Sequence, residues 1–161
     1  MASMRHAHSR ACWRPDDDTL QPKLLNVADI LLVGADASLL EGITQALAAA
    51  GHHVLVASSL TEASFVVAAA AAPLLAVVDR ALLSSVTDAR SITLAPGGAL
   101  VAFGDPWTPL PAPVRRLVLA ELRLPLERAR LSALAAHVEE RARRTGRDAT
   151  VRTPPDSRPA L

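Results

Sequence analysis

The sequence predicts an α/β domain built on a parallel sheet, and three observations carry that prediction. Short, uniformly apolar runs recur along the chain, as expected of strands covered on both faces. Between them, apolar residues return at three- and four-residue spacing, the period of a helix with one buried side. The two kinds of segment alternate. Strands joined through helices run parallel, with right-handed crossovers and helices on both faces of the sheet.

Asp29–Val33 (DILLV) is the first strand. Leu39, Leu40, Ile43, Ala46, Leu47 and Ala50 follow at helical spacing, with Ser38 and Glu41 placed as a capping box and Gly51 as a stop. Val54–Ala57 is the second strand. Ser59 and Glu62 repeat the capping box, and Ala63, Phe65, Val66 and an alanine run supply a second helix ended by Pro73. Leu74–Val78 is the third strand, closed by Asp79. Ala81–Leu94 reads as a short helix or a long loop, and Ala99–Phe103 as a fourth strand. Pro106, Pro109, Pro111 and Pro113 stiffen the next connection, and Val114–Ala120 offers a turn or two of helix. Glu121–Leu124 (ELRL) is the expected fifth strand. The last helix, Leu126–Arg144, turns Leu126, Ala129, Leu131, Leu134, Ala135 and Val138 towards the sheet.

A chain of 161 residues suits one domain with loose ends, and 50% apolar residues are enough for a core. Trp13, Phe65, Phe103 and Trp107 are the aromatics, with no Tyr. Packing is therefore aliphatic, and little surface is available for stacking on bases. The formal charge of +1 supplies no field that draws nucleic acid or an anionic membrane, and the arginines at 141, 143, 144 and 147 read as a solvated helix end. Cys12 alone excludes an internal disulfide and a multi-cysteine zinc site. No apolar run reaches the roughly 18–20 residues of a membrane span, and Met1–Pro15 has no signal-peptide core. The expectation is a soluble, cytoplasmic protein without nucleic-acid or membrane partners. Residues 1–27, holding His6, His8 and Asp16–Asp18, read as a flexible leader. Residues 28–144 read as the domain and 145–161 as a disordered tail.

An open parallel sheet places its ligand site beyond the carboxyl ends of the strands. The groups that count are Gly34, Ala35 and Asp36, then Asp79, then Gly104 and Asp105, then Leu124 and Pro125. Asp79 can be a reactive carboxylate or a strand-end cap for backbone amides. A dinucleotide fingerprint needs further glycines where Asp36 and Leu39 stand, which argues against a nucleotide-dependent oxidoreductase. His52 and His53 are adjacent, so on a strand they face opposite ways and read as a turn and strand start. Ser84 and Ser85 lack a nucleophile elbow. Trp107 reads as a loop anchor packed on the sheet edge.

Ile30–Leu39 (ILLVGADASL) resembles the opening of a response-regulator receiver domain. Gly51–Ser58 (GHHVLVAS) is similar to its second strand, Pro73–Leu83 (PLLAVVDRALL) to its third, and Glu121–Leu126 (ELRLPL) to its fifth strand and the turn beyond. The resemblance implies a flavodoxin-like sheet in the order 2-1-3-4-5 and a place in two-component, or phosphorelay, signal transduction. It puts Asp79 at the phospho-acceptor position. The pair of acids that holds Mg²⁺ in the family aligns with Gly34 and Ala35, leaving Asp36 one place later. The hydroxyl after strand four aligns with Gly104, the aromatic switch position with Glu121 and the conserved lysine with Leu124, followed by Pro125. Phosphoryl transfer depends on positioning and charge neutralisation, and Mg²⁺ needs several converging oxygens. The expectation is thus a stand-alone pseudo-receiver, not an enzyme and without a cofactor. It would bind a histidine kinase, an output protein or a second copy of itself through about 114–144. Two alternatives stay open. One is a phosphorylatable regulator using Asp79, Asp36 and Asp105 around Mg²⁺. The other is a sensor whose small-molecule ligand sits above Gly34 and Gly104, where the lost side chains leave room.

Overall fold

The structure, a computed structural model, describes residues 29–151, with side-chain surroundings as far as residue 146. The whole leader, with His6, His8 and Cys12, lies outside the described residues, as does the tail beyond 151. Five strands, β1 (Asp29–Val33), β2 (His53–Ala57), β3 (Leu75–Asp79), β4 (Ala99–Phe103) and β5 (Val118–Leu122), form one parallel sheet in the order β2-β1-β3-β4-β5. Five helices connect and flank them: α1 (Ala37–Ala49), α2 (Leu60–Ala69), α3 (Val86–Ser91), α4 (Ala112–Arg115) and α5 (Arg128–Val151). No helix among the described residues is long and apolar enough to cross a membrane.

The alternation of side chains along each strand divides the core in two. On one face Ile30, Leu32, Leu75, Val77, Val101 and Phe103 meet Leu40, Ile43 and Leu47 of α1 and Leu131, Ala135 and Val138 of α5. On the other, Leu31, Val33, Ala76, Val78, Leu100 and Ala102 meet Ala63 of α2, Ala89 of α3 and Val114 of α4. The central strands are buried on both sides, and the edge strands β2 and β5 are half-open.

Local chemistry sets the helix starts. Asp36, not Ser38, caps α1: its carboxylate accepts the Leu39 N–H at 3.0 Å. The chain turns straight after Gly34, whose N–H still bonds the Ala57 carbonyl, so the helix begins before the Ser38–Glu41 pair can box it. Ser59 caps α2 as expected, while the Glu62 carboxylate reaches back to Ser58. The Ser58 hydroxyl and N–H hold the Glu62 carboxyl below its usual range. The segment after Asp79 resolves into a 3-10 turn (Arg80–Leu82) and α3, which starts with a Ser85–Asp88 capping box. Ser84 and Ser85 both bond the Asp88 carboxylate and keep its pKa low.

Four elements differ from expectation. α2 ends at Ala69, well before Pro73, and its Phe65 is exposed. β5 lies at Val118–Leu122 rather than Glu121–Leu124. Val118 already pairs with Leu100, and Arg123 has left the ladder to donate its N–H to Glu127 Oε2 at 2.6 Å. Helix α4 consequently stops at Arg115 instead of running to Ala120. Helix α5 starts two residues late and continues past 144 to Val151, so the start of the expected tail is helical. The late start leaves Leu126 and Ala129 in solvent, whereas Leu131, Ala135 and Val138 are buried.

Leu131→Ala should therefore cost about 2–5 kcal/mol, the range for a buried leucine. Leu126→Ala should stay within about 0.5 kcal/mol of the native chain. Urea unfolding of both variants checks this, and equal losses would contradict the observed register of α5.

Candidate functional site

The site residues expected from the sequence lie at the carboxyl ends of β1, β3, β4 and β5, with Asp79 and Glu121 on the strands themselves and the others in the loops that follow. Asp79 is half-buried at the end of β3, and its Oδ1 accepts the Ala81 N–H at 2.9 Å, capping the 3-10 turn. Asp36 is exposed and caps α1. Asp105 is exposed and accepts the Trp107 N–H at 3.0 Å. All three acids of the conceivable Mg²⁺ site thus serve their own loops. Among the described residues no group of three His, Cys, Asp or Glu side chains is gathered around a metal-sized space.

The room a side chain would have at the two glycines is tight. A Cβ on Gly34 would lie 3.0 Å from Cζ of Phe103 and 3.6 Å from Cβ of Asp79. The ring at the end of β4 stands where a side chain from the end of β1 would go. Gly104, at φ +125°, presents its bare backbone to Asp79, and a Cβ there would lie 3.0 Å from Asp79 Oδ1. Only glycine adopts that backbone without strain. At either glycine the direction a side chain would take is therefore bordered by protein atoms. The open space lies to one side, in a cavity of about 570 Å³ between α1 and the end of β2, where Gly34, Ala35, Leu40, Thr44, Val56 and Glu62 contribute to the lining.

One constellation escaped the sequence reading. Arg80 follows Asp79 directly and is 7% exposed, the one buried charged residue among those described. Its Nη2 donates to Glu121 Oε2 at 2.7 Å and its Nη1 to the Thr108 carbonyl at 3.1 Å. The other Glu121 oxygen lies 3.3 Å from Arg115 Nε. Glu121, aligned with the aromatic switch, is thus one end of an ion pair tying β3 to β5. The available signal was an acid inside the apolar run VLAEL, which cannot be buried without a cationic partner. Leu124, in the lysine position, packs on the core, and Pro125 follows it in the exposed turn before α5.

The remaining candidates have structural roles or none visible. His53 bonds Asp29 on β1 at 2.9 Å, and His52 lies 3.3 Å from Glu139 on α5, so the two do face different neighbours. Trp107, expected as an anchor, is instead 89% exposed in the proline-rich loop after β4.

No family model matches the chain, and no curated protein does. Solved structures do. A response regulator receiver domain protein from Clostridium thermocellum superposes with a TM-score of 0.59 at 24% identity, over 71% of this chain and 96% of that one. A CheY-like receiver domain from Methylobacillus flagellatus gives 0.58 at 17% identity, over 70% and 98%. A Rhodopirellula baltica protein named an adenylate cyclase gives 0.60 at 19% identity, over 80% and 99%. At such identities the likeness speaks to architecture, and the order β2-β1-β3-β4-β5 agrees with it: the chain has the flavodoxin-like fold of response-regulator receiver domains.

Proposed function

We propose that the chain is a receiver-like module of two-component signalling that acts through protein contact and does not depend on a phosphoryl group at Asp79. The observation that carries this reading is the Phe103 ring beside Gly34, in the place a metal-holding carboxylate would need. Mg²⁺ sheds its waters reluctantly and asks for several oxygens at once. Here an apolar ring borders the acceptor, and Asp36 and Asp105 are committed to backbone amides. Gly104 supplies no hydroxyl, and Leu124 supplies no charge to an acyl phosphate. The names of the receiver-domain neighbours supply the signalling context.

Contact is the remaining output. The edge around β4, β5 and the start of α5 leaves Trp107, Leu117, Leu119 and Leu126 exposed. Large apolar side chains held in solvent are what an interface uses as anchors. A histidine kinase, an output protein or a second copy of the chain would all meet this edge.

Intact-mass measurement after incubation with Mg²⁺ and acetyl phosphate tests the central claim. Wild type and Asp79→Asn should both keep their mass, and a phosphoryl gain by wild type alone would refute it. The double variant Gly34→Asp, Ala35→Asp should not rescue labelling, since a Cβ at 34 lies only 3.0 Å from Cζ of Phe103 and the ring must shift to admit it.

Glu121→Gln probes the link that replaces the switch. Breaking a buried ion pair costs about 3–5 kcal/mol. Glu121 is 33% exposed, so the expected loss is smaller, about 1–3 kcal/mol, read by denaturant unfolding. An unchanged midpoint would mean that Arg80 does not depend on Glu121.

Trp107→Asp tests the contact face. In sedimentation velocity the wild type should show reversible self-association that the variant lacks. A wild type that stays monomeric at all concentrations would refute the second copy as partner.

A further inference from the structure

A second cavity, of about 530 Å³, opens between the end of β5 and the start of α5, with Arg80 but not Asp79 in its lining. It closes against the buried Leu122, and its polar lining comes from Arg80, Glu121, Arg123, Glu127 and Arg130. Three guanidinium groups face two carboxylates, leaving one positive charge in excess.

Hydrogen-bond accounting sharpens the imbalance. Both Glu121 oxygens are engaged, one by Arg80 and one by Arg115. Both Glu127 oxygens are engaged too, Oε2 by the Arg123 N–H and Oε1 by Arg130 Nη1 at 3.1 Å. These donors, the Arg123 N–H foremost, hold the Glu127 carboxyl below its usual range, so it remains an occupied anion. The acceptors are spent, and the donors are not. An arginine carries five N–H groups, and Arg130 uses one nitrogen in its ion pair while the Arg123 side chain stands exposed at the rim. Arg80 is more than nine-tenths buried behind them, and its Nε, sealed from solvent, has no hydrogen-bond partner. A buried donor left unpaired is rare and needs an explanation. The 24-residue helix α5 also begins here, adding the positive end of its dipole.

We infer that this cavity binds the oxyanion group, carboxylate or phosphate, of a metabolite-sized molecule, gripped by Arg123 and Arg130 with Arg80 behind. The guanidinium fork matches either group in a bidentate fashion. The volume lies within the roughly 300–1,000 Å³ of small-molecule sites. Pro106 and Leu126 supply apolar wall for the rest of the ligand. An acceptor reaching Arg80 would compete with Glu121, so occupancy would act on the tie between β3 and β5. The site stands apart from Asp79 and does not require that residue to be inert.

Titration calorimetry on the full chain tests the assignment, with inorganic phosphate, succinate and a short polyglutamate peptide as probes. Wild type should bind phosphate, succinate or both saturably at one site. Arg123→Gln and Arg130→Gln should each weaken that binding about tenfold, the effect of one charge-assisted hydrogen bond. Arg90→Gln removes the same charge from an exposed position outside the cavity and should bind as wild type does. Preference for one small probe identifies the ligand as a phosphate or a carboxylate. Equal weakening in Arg90→Gln, or no saturable binding of either small anion, would overturn the proposal. Binding of the peptide alone would also overturn it, by making the surface a dock for an acidic chain.

Discussion

A parallel strand covered on both faces leaves no place for a polar side chain along its length, and most of this structure follows from that constraint. Residues 30–33, 75–78 and 99–103 are all apolar and all buried. Each crossover must carry a helix to one face or the other, so α1 and α5 line one side and α2, α3 and α4 the other. Polar chemistry is pushed to the loops. Arg80 marks the limit: it is the first residue beyond β3, and its guanidinium is accepted in a dry environment because Glu121 and the Thr108 carbonyl await it.

The site residues form a mutually dependent set. Phe103 can close β4 because Gly34 closes β1 without a side chain, and Asp79 can approach the β4 loop because Gly104 has none. Large against small is the usual way a close-packed interior keeps its volume when its composition changes. An acid introduced at position 34 would therefore meet an aromatic ring in place of a metal's hydration shell. The absence of a side chain at positions 34 and 104 and the close packing of Phe103 and Asp79 against them go together.

The sheet and its order were legible because burial on both faces leaves an unambiguous apolar run, and because Asp79 at the centre of the domain and Pro125 towards its end anchor a resemblance. The far edge was not. Val114–Leu124 contains apolar residues at spacings that suit a helix or a strand, and pairing with Leu100 settled the matter in favour of a strand starting at Val118. Leu126 looked like a core position because helical period alone cannot say where a helix begins, and the N–H of Arg123 bonding Glu127 moved that start. Competition between Asp36 and Ser38 for the cap of α1 was likewise decided by where the strand ended. Trp107 misled because large aromatics are usually covered, whereas this one stands in solvent within a loop of four prolines.

The irregularity in β5 has a consequence for recognition. Val118 faces Leu100 and Ala120 faces Val101, so Leu119 is an extra residue with no opposite number on β4. A bulge of this kind twists and interrupts the row of outward amides and carbonyls on an edge strand. A sixth strand laid alongside β5 would lose its ladder halfway, which disfavours edge-to-edge pairing on this side of the sheet. Whatever settles on this border must read side chains such as Leu119 instead of extending the sheet by β-augmentation.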